Sequence, residues 1–213
     1  MRLIGVLLMV AGCQFSGTAE PDAPGGPGGD GAHDLGMFVT WKANPPIPGT
    51  LSDKLTVSDA TFQVDHFQIV ADAGNVMRTK YLLAWNPAST PTTPSEDAFP
   101  DAPPGMYSKV SLVMMTGSFG DYAYQIHGTW RDNGMSQNFE IRDRAPLTIG
   151  FDCTEMLGAA GSATLRIRLD LRDALSGIDF RNVEQEDGML ELSDGQELLA
   201  LRSRLMSAFQ LDN

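Results

Sequence analysis

Cysteine, histidine and basic residues are scarce in this 213-residue chain. It has two Cys and three His, and 15 Lys and Arg against 27 Asp and Glu, which gives a formal net charge of −12 at pH 7. Such an acidic chain repels nucleic-acid phosphates and anionic lipid, so we expect no nucleic-acid partner. With so few Cys, the fold must be held by a hydrophobic core rather than by disulfides.

The chain also lacks the common sequence signatures of catalysis and metal binding. It has no Gly-Xaa-Ser-Xaa-Gly motif, which marks the nucleophile in many hydrolases. Nor do its Cys and His residues cluster at the spacing of a zinc site. We therefore predict no catalytic residue, no metal ligand and no cofactor, and a protein that is not an enzyme.

The first 13 residues carry the clearest pattern in the chain. Arg2 precedes a short apolar run, Leu3–Met9, and Val10-Ala11-Gly12 places small residues directly before Cys13. The run is far shorter than the ~20 residues of a permanent membrane helix, and the order resembles a bacterial lipoprotein signal peptide with its lipobox. The resemblance implies removal of residues 1–12, lipidation of Cys13 with palmitate among the acyl chains, and membrane attachment through that lipid. An ordinary secretory signal that contains a cysteine is the alternative.

A segment poor in apolar residues follows the lipobox. Residues 14–35 include six Gly, three Pro and four acidic residues, too little apolar surface to offset the entropy of ordering them. We predict that residues 13–35 form the lipidated Cys13 and a flexible tether. Gln14 stands where an Asp would retain a Gram-negative lipoprotein at the inner membrane, so we expect an anchor in the outer membrane of the cell envelope. Residues 36–213 have the length of one domain.

The body of the chain alternates apolar and polar side chains with the period of a β-strand, most clearly in Ala163–Arg172. In Thr61–Ala71 the apolar phase changes, which predicts a β-bulge near Asp65-His66. Turn signals at Asp72–Asn75 and Asp132-Asn133-Gly134 predict hairpins. Many short strands and few helices predict a mainly β protein, an antiparallel β-sandwich of transthyretin-like or immunoglobulin-like type.

Two segments depart from this strand pattern. Residues 86–105 contain six Pro, so they are predicted to form a long surface connection and no central strand. Near the C-terminus the apolar period becomes helical, from a capping-box-like Asp194 and Glu197 through Phe209. We predict a C-terminal α-helix over about residues 194–210 that packs on the sandwich.

Two stretches of the body resemble a family of bacterial lipoprotein domains of unknown function. The paired apolar stretches of residues 55–70 and the turn Pro104-Gly105-Met106-Tyr107, which leads into a strand, carry the resemblance over roughly residues 37–180. Where members carry Thr-Asp-Ala-Pro, this chain has Ser58-Asp59-Ala60-Thr61. The resemblance implies a sandwich at the cell envelope and supplies no catalytic residues.

Most residues with chemical potential also have a structural interpretation. Cys153 is in phase with apolar neighbours and is predicted to be buried; His66 lies at the predicted bulge, and His127 is predicted to face solvent. The stripe of Arg166, Arg168 and Arg172 is expected to pair with carboxylates, with anion docking as the alternative. Six aromatic residues offer a sugar-stacking platform: Trp41, Trp85, Tyr107, Tyr122, Tyr124 and Trp130. Four of them are in phase with aliphatic residues and are expected in the core instead: Trp41, Tyr122, Tyr124 and Trp130.

Two groups of acidic residues leave calcium binding open. They are Glu96, Asp97 and Asp101, and Asp179, Glu184, Glu186 and Asp187, although neither matches a known calcium motif. The leading hypothesis is a non-enzymatic, membrane-anchored lipoprotein that binds a protein or glycan at the cell envelope. The alternatives are an envelope hydrolase that uses acidic residues, with or without calcium, and a structural subunit of an envelope assembly.

Overall fold

The computed structural model describes residues 35–85, 96–117 and 119–212. Its strands are β1 (Gly36–Asn44), β2 (Gly49–Thr50), β3 (Leu55–Ala71), β4 (Val76–Trp85), β5 (Glu96–Phe99), β6 (Gly105–Met114), β7 (Tyr124–Asp132), β8 (Met135–Asp143), β9 (Leu147–Leu157), β10 (Ser162–Asp170), β11 (Glu184–Glu186), β12 (Met189–Leu192) and β13 (Phe209–Leu211). The helices are α1 (Leu171–Leu175) and α2 (Gly195–Ala208), and a 3-10 turn spans Phe180–Asn182.

The strands form two sheets, which confirms a mainly β sandwich with a C-terminal helix. The smaller sheet has the order β13-β10-β1-β5, and the larger has β11-β12-β8-β7-β3-β6-β9, with β2 and β4 also paired to β3. Most pairs are antiparallel, but β1 pairs with β10, and β8 with β12, in parallel. Parallel neighbours cannot be joined by a tight turn, and much of the chain separates the strands of each parallel pair.

Aromatic contacts join the inner faces of the two sheets. Phe67 of β3 meets Trp41 of β1 edge-on, with ring centroids 5.3 Å apart. Phe62 of β3 meets Phe209 of β13 in the same way, at 5.5 Å. These rings belong to one continuous apolar core, which stabilises the sandwich by burying its surface.

The long strand β3 carries the predicted bulge. Its register with β6 shifts between Val64 and His66, so the apolar side chain returns to the core at Phe67. The phase change of the apolar residues predicts this bulge. The structure confirms it, since Phe62 and Val64 are buried before the bulge and Phe67 and Ile69 after it. Before the bulge β3 pairs with β7, and after it with β6.

Local turn chemistry also behaves as predicted. Between β7 and β8, Asn133 and Gly134 have φ values of 49° and 83°, the left-handed pair that a tight hairpin needs. Before β6, the Tyr107 hydroxyl donates a hydrogen bond to the Pro103 carbonyl at 2.8 Å, so the tyrosine secures the corner that leads into the strand.

Other segments differ from the predictions. Within residues 86–105, the part from Glu96 to Phe99 forms β5 at a sheet edge instead of a surface connection; residues 86–95 lie outside the described residues. In the described part of the chain, Asp194 forms no side-chain cap, and α2 ends before Phe209, which starts β13. Pairing of Phe209 with Leu169 of β10 overrides the helical spacing.

The predicted signal peptide, Cys13 and the tether up to Asp34 lie outside the described residues. Lipidation and anchoring therefore stay predictions. Among the residues that the structure does describe, neither helix has both the length and the hydropathy of a membrane span.

Candidate functional site

Ionisable side chains form a row across the outer face of the larger sheet. The strand register places Asp59 of β3, His127 of β7, Glu140 of β8 and Glu191 of β12 side by side. Nδ1 of His127 lies 2.5 Å from Asp59 Oδ1, and Nε2 lies 3.2 Å from Glu140 Oε1. His127 is thus on the outer face as predicted, but both nitrogens meet carboxylates and 35% of its side chain is exposed.

Within this row, Asp59 and His127 shift each other's pKa. The hydrogen bond to Asp59 raises the pKa of His127 above its usual value; burial opposes this and the contact with Glu140 adds to it. Burial acts to raise the pKa of Asp59, but the hydrogen bond and the charge of His127 outweigh it, so that the pKa of Asp59 is lowered. Both shifts favour the charged form of the pair.

The row holds the residue types of a hydrolase triad, but not their arrangement. Ser58 donates a hydrogen bond to Asp59 Oδ2 at 3.0 Å, so its hydroxyl contacts the carboxylate. A serine nucleophile instead needs its hydroxyl on the imidazole, and both nitrogens of His127 contact carboxylates. These contacts orient the histidine and do not activate Ser58.

A cation of the chain itself lies between the two glutamates of the row. Arg142 forms an ion pair with Glu191 through Nη2, and its Nε lies 3.6 Å from Glu140 Oε1. Within the described residues, no three His, Cys, Asp or Glu side chains converge as metal ligands. Arg142 therefore offsets part of the charge of these glutamates.

Beside this row lies a pocket of about 400 Å³ that we call the arginine pocket. Tyr122 forms one wall, with the guanidinium carbons of Arg142 and Arg144 lying 5.2 Å and 5.0 Å from its ring centroid. At these distances the ring attracts both cations. The lining is Tyr122, Arg142, Asp143, Arg144, Ala145, Glu191, Ser193 and Arg202.

The position of Tyr122 corrects the prediction that it lies in the core. It is only partly buried, because β7 begins at Tyr124 and the strand alternation does not reach back to Tyr122. Trp41 and Tyr124 are buried, as predicted, and Trp130 packs partly buried against the core. Trp85 and Tyr107, which were candidates for the platform, are buried as well.

A buried ion pair anchors one arginine of the pocket. Asp143 is 1% exposed, and it accepts hydrogen bonds from Arg202 Nε at 2.6 Å and Arg202 Nη2 at 2.8 Å. The backbone N–H of Ala145 donates a third, at 2.8 Å. Burial acts to raise the pKa of Asp143, but the hydrogen bonds from Arg202 and Ala145 outweigh it, and the pKa is lowered. The guanidinium of Arg202 is therefore held in one orientation.

The charges that line the pocket do not balance. Arg142 pairs with Glu191 and Arg202 with Asp143, whereas Arg144 forms no ion pair with any carboxylate in the described part of the chain. Three guanidinium groups thus face two carboxylates. The pocket is locally positive in a chain whose net charge is −12.

Of the acidic residues considered for calcium, Asp97 and Asp179 have structural partners and the others are exposed. Asp97 is 1% exposed, accepts a hydrogen bond from Trp41 Nε1 at 2.9 Å and pairs with Arg78. Asp179 caps the 3-10 turn and accepts a hydrogen bond from Arg181 Nε at 2.9 Å. Asp101, Glu184, Glu186 and Asp187 are exposed on turns and on β11, and Glu96 is exposed on β5.

The structure also places Cys153, the arginine stripe and His66. Cys153 is 6% exposed, as predicted, and burial raises the pKa of its thiol to about 11. Arg168 Nη1 lies 3.2 Å from Asp212 Oδ1, an ion pair with a carboxylate as predicted, while Arg166 and Arg172 are exposed. His66 lies beside Asp65 at the bulge, with 3.1 Å between Nδ1 and Oδ2.

Comparisons of the chain with protein-family models, with curated proteins and with solved structures gave no match. The function must therefore be argued from the chemistry of the site. Sequence reasoning overlooked the arginine pocket, although Arg142-Asp143-Arg144 carried a signal: alternation places both arginines on one face and the acid on the other. No local signal connects them to Arg202, which is 59 residues from Asp143.

Proposed function

We propose that this chain is a lipid-anchored cell-envelope protein that binds an anionic group of a protein or glycan in the arginine pocket. The lipid on Cys13 holds it in the outer membrane, and the sandwich presents the pocket. One observation carries the proposal: Arg144 offers a guanidinium with no carboxylate partner among the described residues, in a pocket that already holds two oriented arginines.

The pocket suits a carboxylate or phosphate for geometric reasons. A guanidinium presents its N–H groups as a planar fork, which matches two oxygens of such an anion. Glu191 and Asp143 already hold Arg142 and Arg202 in place, and the ring of Tyr122 supports Arg144. Since these side chains are ordered before binding, less conformational entropy is lost when the ligand arrives.

Binding of an acidic polymer tests the pocket. We would titrate the purified domain with oligogalacturonate and, separately, with an oligoglutamate peptide, using isothermal titration calorimetry. Arg144→Gln is expected to weaken binding at least about tenfold, since a hydrogen bond to a charged group contributes about 1.5–3 kcal/mol. Arg166→Gln makes the same charge change at an exposed position on β10, outside the pocket, and is expected to bind as the wild type does.

Two results would contradict anion binding in the arginine pocket. Either Arg144→Gln binds the polymers as tightly as the wild type, or Arg166→Gln loses as much affinity, which would indicate a general charge effect. The two polymers also separate the partner classes, because a glycan site and a peptide site differ in which polymer binds more tightly.

The anchor has a separate test with a matched control. In cells fed labelled palmitate, the wild type and Cys153→Ser are expected to carry label and to sediment with membranes. Cys13→Ser is expected to lose both properties, because the lipobox places the acyl chains on Cys13. Label that persists on Cys13→Ser, or no label on the wild type, would refute the anchoring.

A further inference from the structure

We propose that the charge state of His127 sets the anion affinity of the arginine pocket, with Glu140 and Arg142 as the link between them. The inference rests on the proposed function of the pocket and adds its regulation by pH. Binding is expected to be tight when His127 is protonated and weaker when it is neutral.

The link is a carboxylate oxygen shared by two cations. Glu140 Oε1 lies 3.2 Å from Nε2 of His127 and 3.6 Å from Nε of Arg142. That Nε is buried, and it has no hydrogen-bond partner among the described residues. Arg142 uses Nη2 for Glu191 and also lines the pocket. A change at His127 can therefore reach the pocket through two contacts.

Loss of the proton changes which partner Glu140 prefers. Protonated histidine donates from both nitrogens, one to Asp59 and one to Glu140, whereas neutral histidine has a single N–H. The shorter contact, 2.5 Å to Asp59, keeps that proton on Nδ1. Nε2 then presents a lone pair to the carboxylate of Glu140, which is repulsive. The Nε of Arg142, 3.6 Å from Glu140 Oε1 and without a hydrogen bond among the described residues, is a donor to which Glu140 can turn.

This rearrangement reduces the positive charge available to a ligand. Once Glu140 joins Glu191 on Arg142, two carboxylates act on one guanidinium of the pocket. Arg202 remains paired with Asp143, and Arg144 remains without a carboxylate partner in the described chain, so the loss of positive charge falls on Arg142. The whole row also becomes one unit more negative when the proton leaves. Both effects disfavour an incoming anion.

The charged groups that face His127 come from two neighbouring strands. Asp59 reaches it from β3 and Glu140 from β8, while its same-face neighbours on β7, Gln125 and Thr129, are uncharged. Both facing groups are acidic, and the hydrogen bond to Asp59 raises the pKa of His127 above its usual 6.5. The change in affinity is therefore expected at a pH above 6.5.

The experiment measures oligogalacturonate affinity from about pH 6 to about pH 9, a range in which the polymer stays fully ionised. The wild type is expected to lose affinity about tenfold across the titration of His127, a coupling of ordinary size. His127→Gln cannot be charged and is expected to bind at the weak, alkaline level throughout. His66→Gln, which removes the histidine at the bulge, is expected to keep the wild-type profile.

A second variant, at Glu140, keeps the proposal testable if His127→Gln does not fold. Glu140→Gln removes the charge that would neutralise Arg142, so the pH step is expected to shrink to the part that the charge of His127 itself causes. A pH step that survives in His127→Gln, or one of full wild-type size in Glu140→Gln, overturns the link. Wild-type affinity that is constant with pH, yet lost in Arg144→Gln, overturns the regulation alone. No binding by the wild type at any pH overturns the proposed function as well.

Discussion

Replacement of Arg202 by Met removes the cation that faces a buried carboxylate. Met is close in length and suits a helix, so the change leaves α2 largely intact. Asp143 is 1% exposed and receives two hydrogen bonds from Arg202, at 2.6 Å and 2.8 Å. After the change Asp143 keeps the backbone N–H of Ala145 as a donor but loses its ion pair with Arg202.

The expected loss follows from the cost of a buried, uncompensated charge. Breaking a buried ion pair by removing one partner costs about 3–5 kcal/mol. Because Arg202 is partly exposed and Ala145 still donates, we expect about 3 kcal/mol at pH 7. Domains are stabilised by about 5–15 kcal/mol in total, so the variant would lose a large fraction of its stability.

The pH dependence has a definite sign. The folded-state pKa of Asp143 is below its value of 3.8 in the unfolded chain, so its contribution is present above pH 3.8 and is lost as pH falls through the folded-state pKa. Without Arg202, burial raises this pKa instead. Acid then protonates Asp143 in the folded variant, and the stability difference from the wild type shrinks towards about pH 4.5.

Urea unfolding followed by tryptophan fluorescence measures the loss of stability and its pH dependence, with free energies of unfolding extrapolated to water at about pH 7 and about pH 4.5. The double variant Asp143→Leu with Arg202→Met is the control, because replacing both partners by apolar groups is often close to neutral. The reasoning is refuted if Arg202→Met loses less than about 1 kcal/mol at pH 7, or if its deficit does not shrink in acid.

Three further outcomes are expected. Gly128→Ala adds a Cβ that overlaps the Thr56 backbone oxygen of the neighbouring strand, so the free energy of unfolding in urea should fall by about 3 kcal/mol. In Gly150→Ala the added Cβ meets its nearest neighbours at 3.7 Å, an ordinary contact, so the change should stay within about 1 kcal/mol. Equal effects of the two variants would contradict the clash. His127 has a raised folded-state pKa, so its contribution is complete below about pH 6.5 and lost as pH rises through that pKa, and His127→Gln should flatten the decline seen in the urea midpoint. With Cys13→Ser as background, the Cys153 thiol should resist Ellman's reagent at about pH 8 until urea is added, and rapid native labelling would contradict its burial.

Features that depend on neighbours in sequence were predictable. The bulge in β3 follows from a phase change within 11 residues, and the hairpin at Asn133-Gly134 follows from two residues that accept positive φ. Cys153 was placed in the core because every second residue of a half-buried strand faces the same way. In each case the physical cause lies within one strand or one turn.

The failed predictions share a cause that sequence pattern does not contain. Phe209 continues the helical spacing of α2, yet pairing with β10 draws it into a strand. Glu96–Phe99 lies in a Pro-rich stretch, but β1 has an open edge that accepts it, and Trp41 and Arg78 satisfy the buried Asp97. Tertiary partners outweigh a local propensity that amounts to about 1 kcal/mol or less per residue.

By itself, the sequence determined the class of the fold and the phase of its strands, because alternation and turn chemistry are local. The anchor at Cys13 stays a prediction from the resemblance to a lipobox, which is also a local pattern. Only the tertiary structure decided the candidate site. Asp59, His127 and Glu140 become neighbours through the register of three strands, and Arg202 reaches Asp143 from a helix. Register is set by packing across the whole sheet, so charges far apart in the chain meet only after folding.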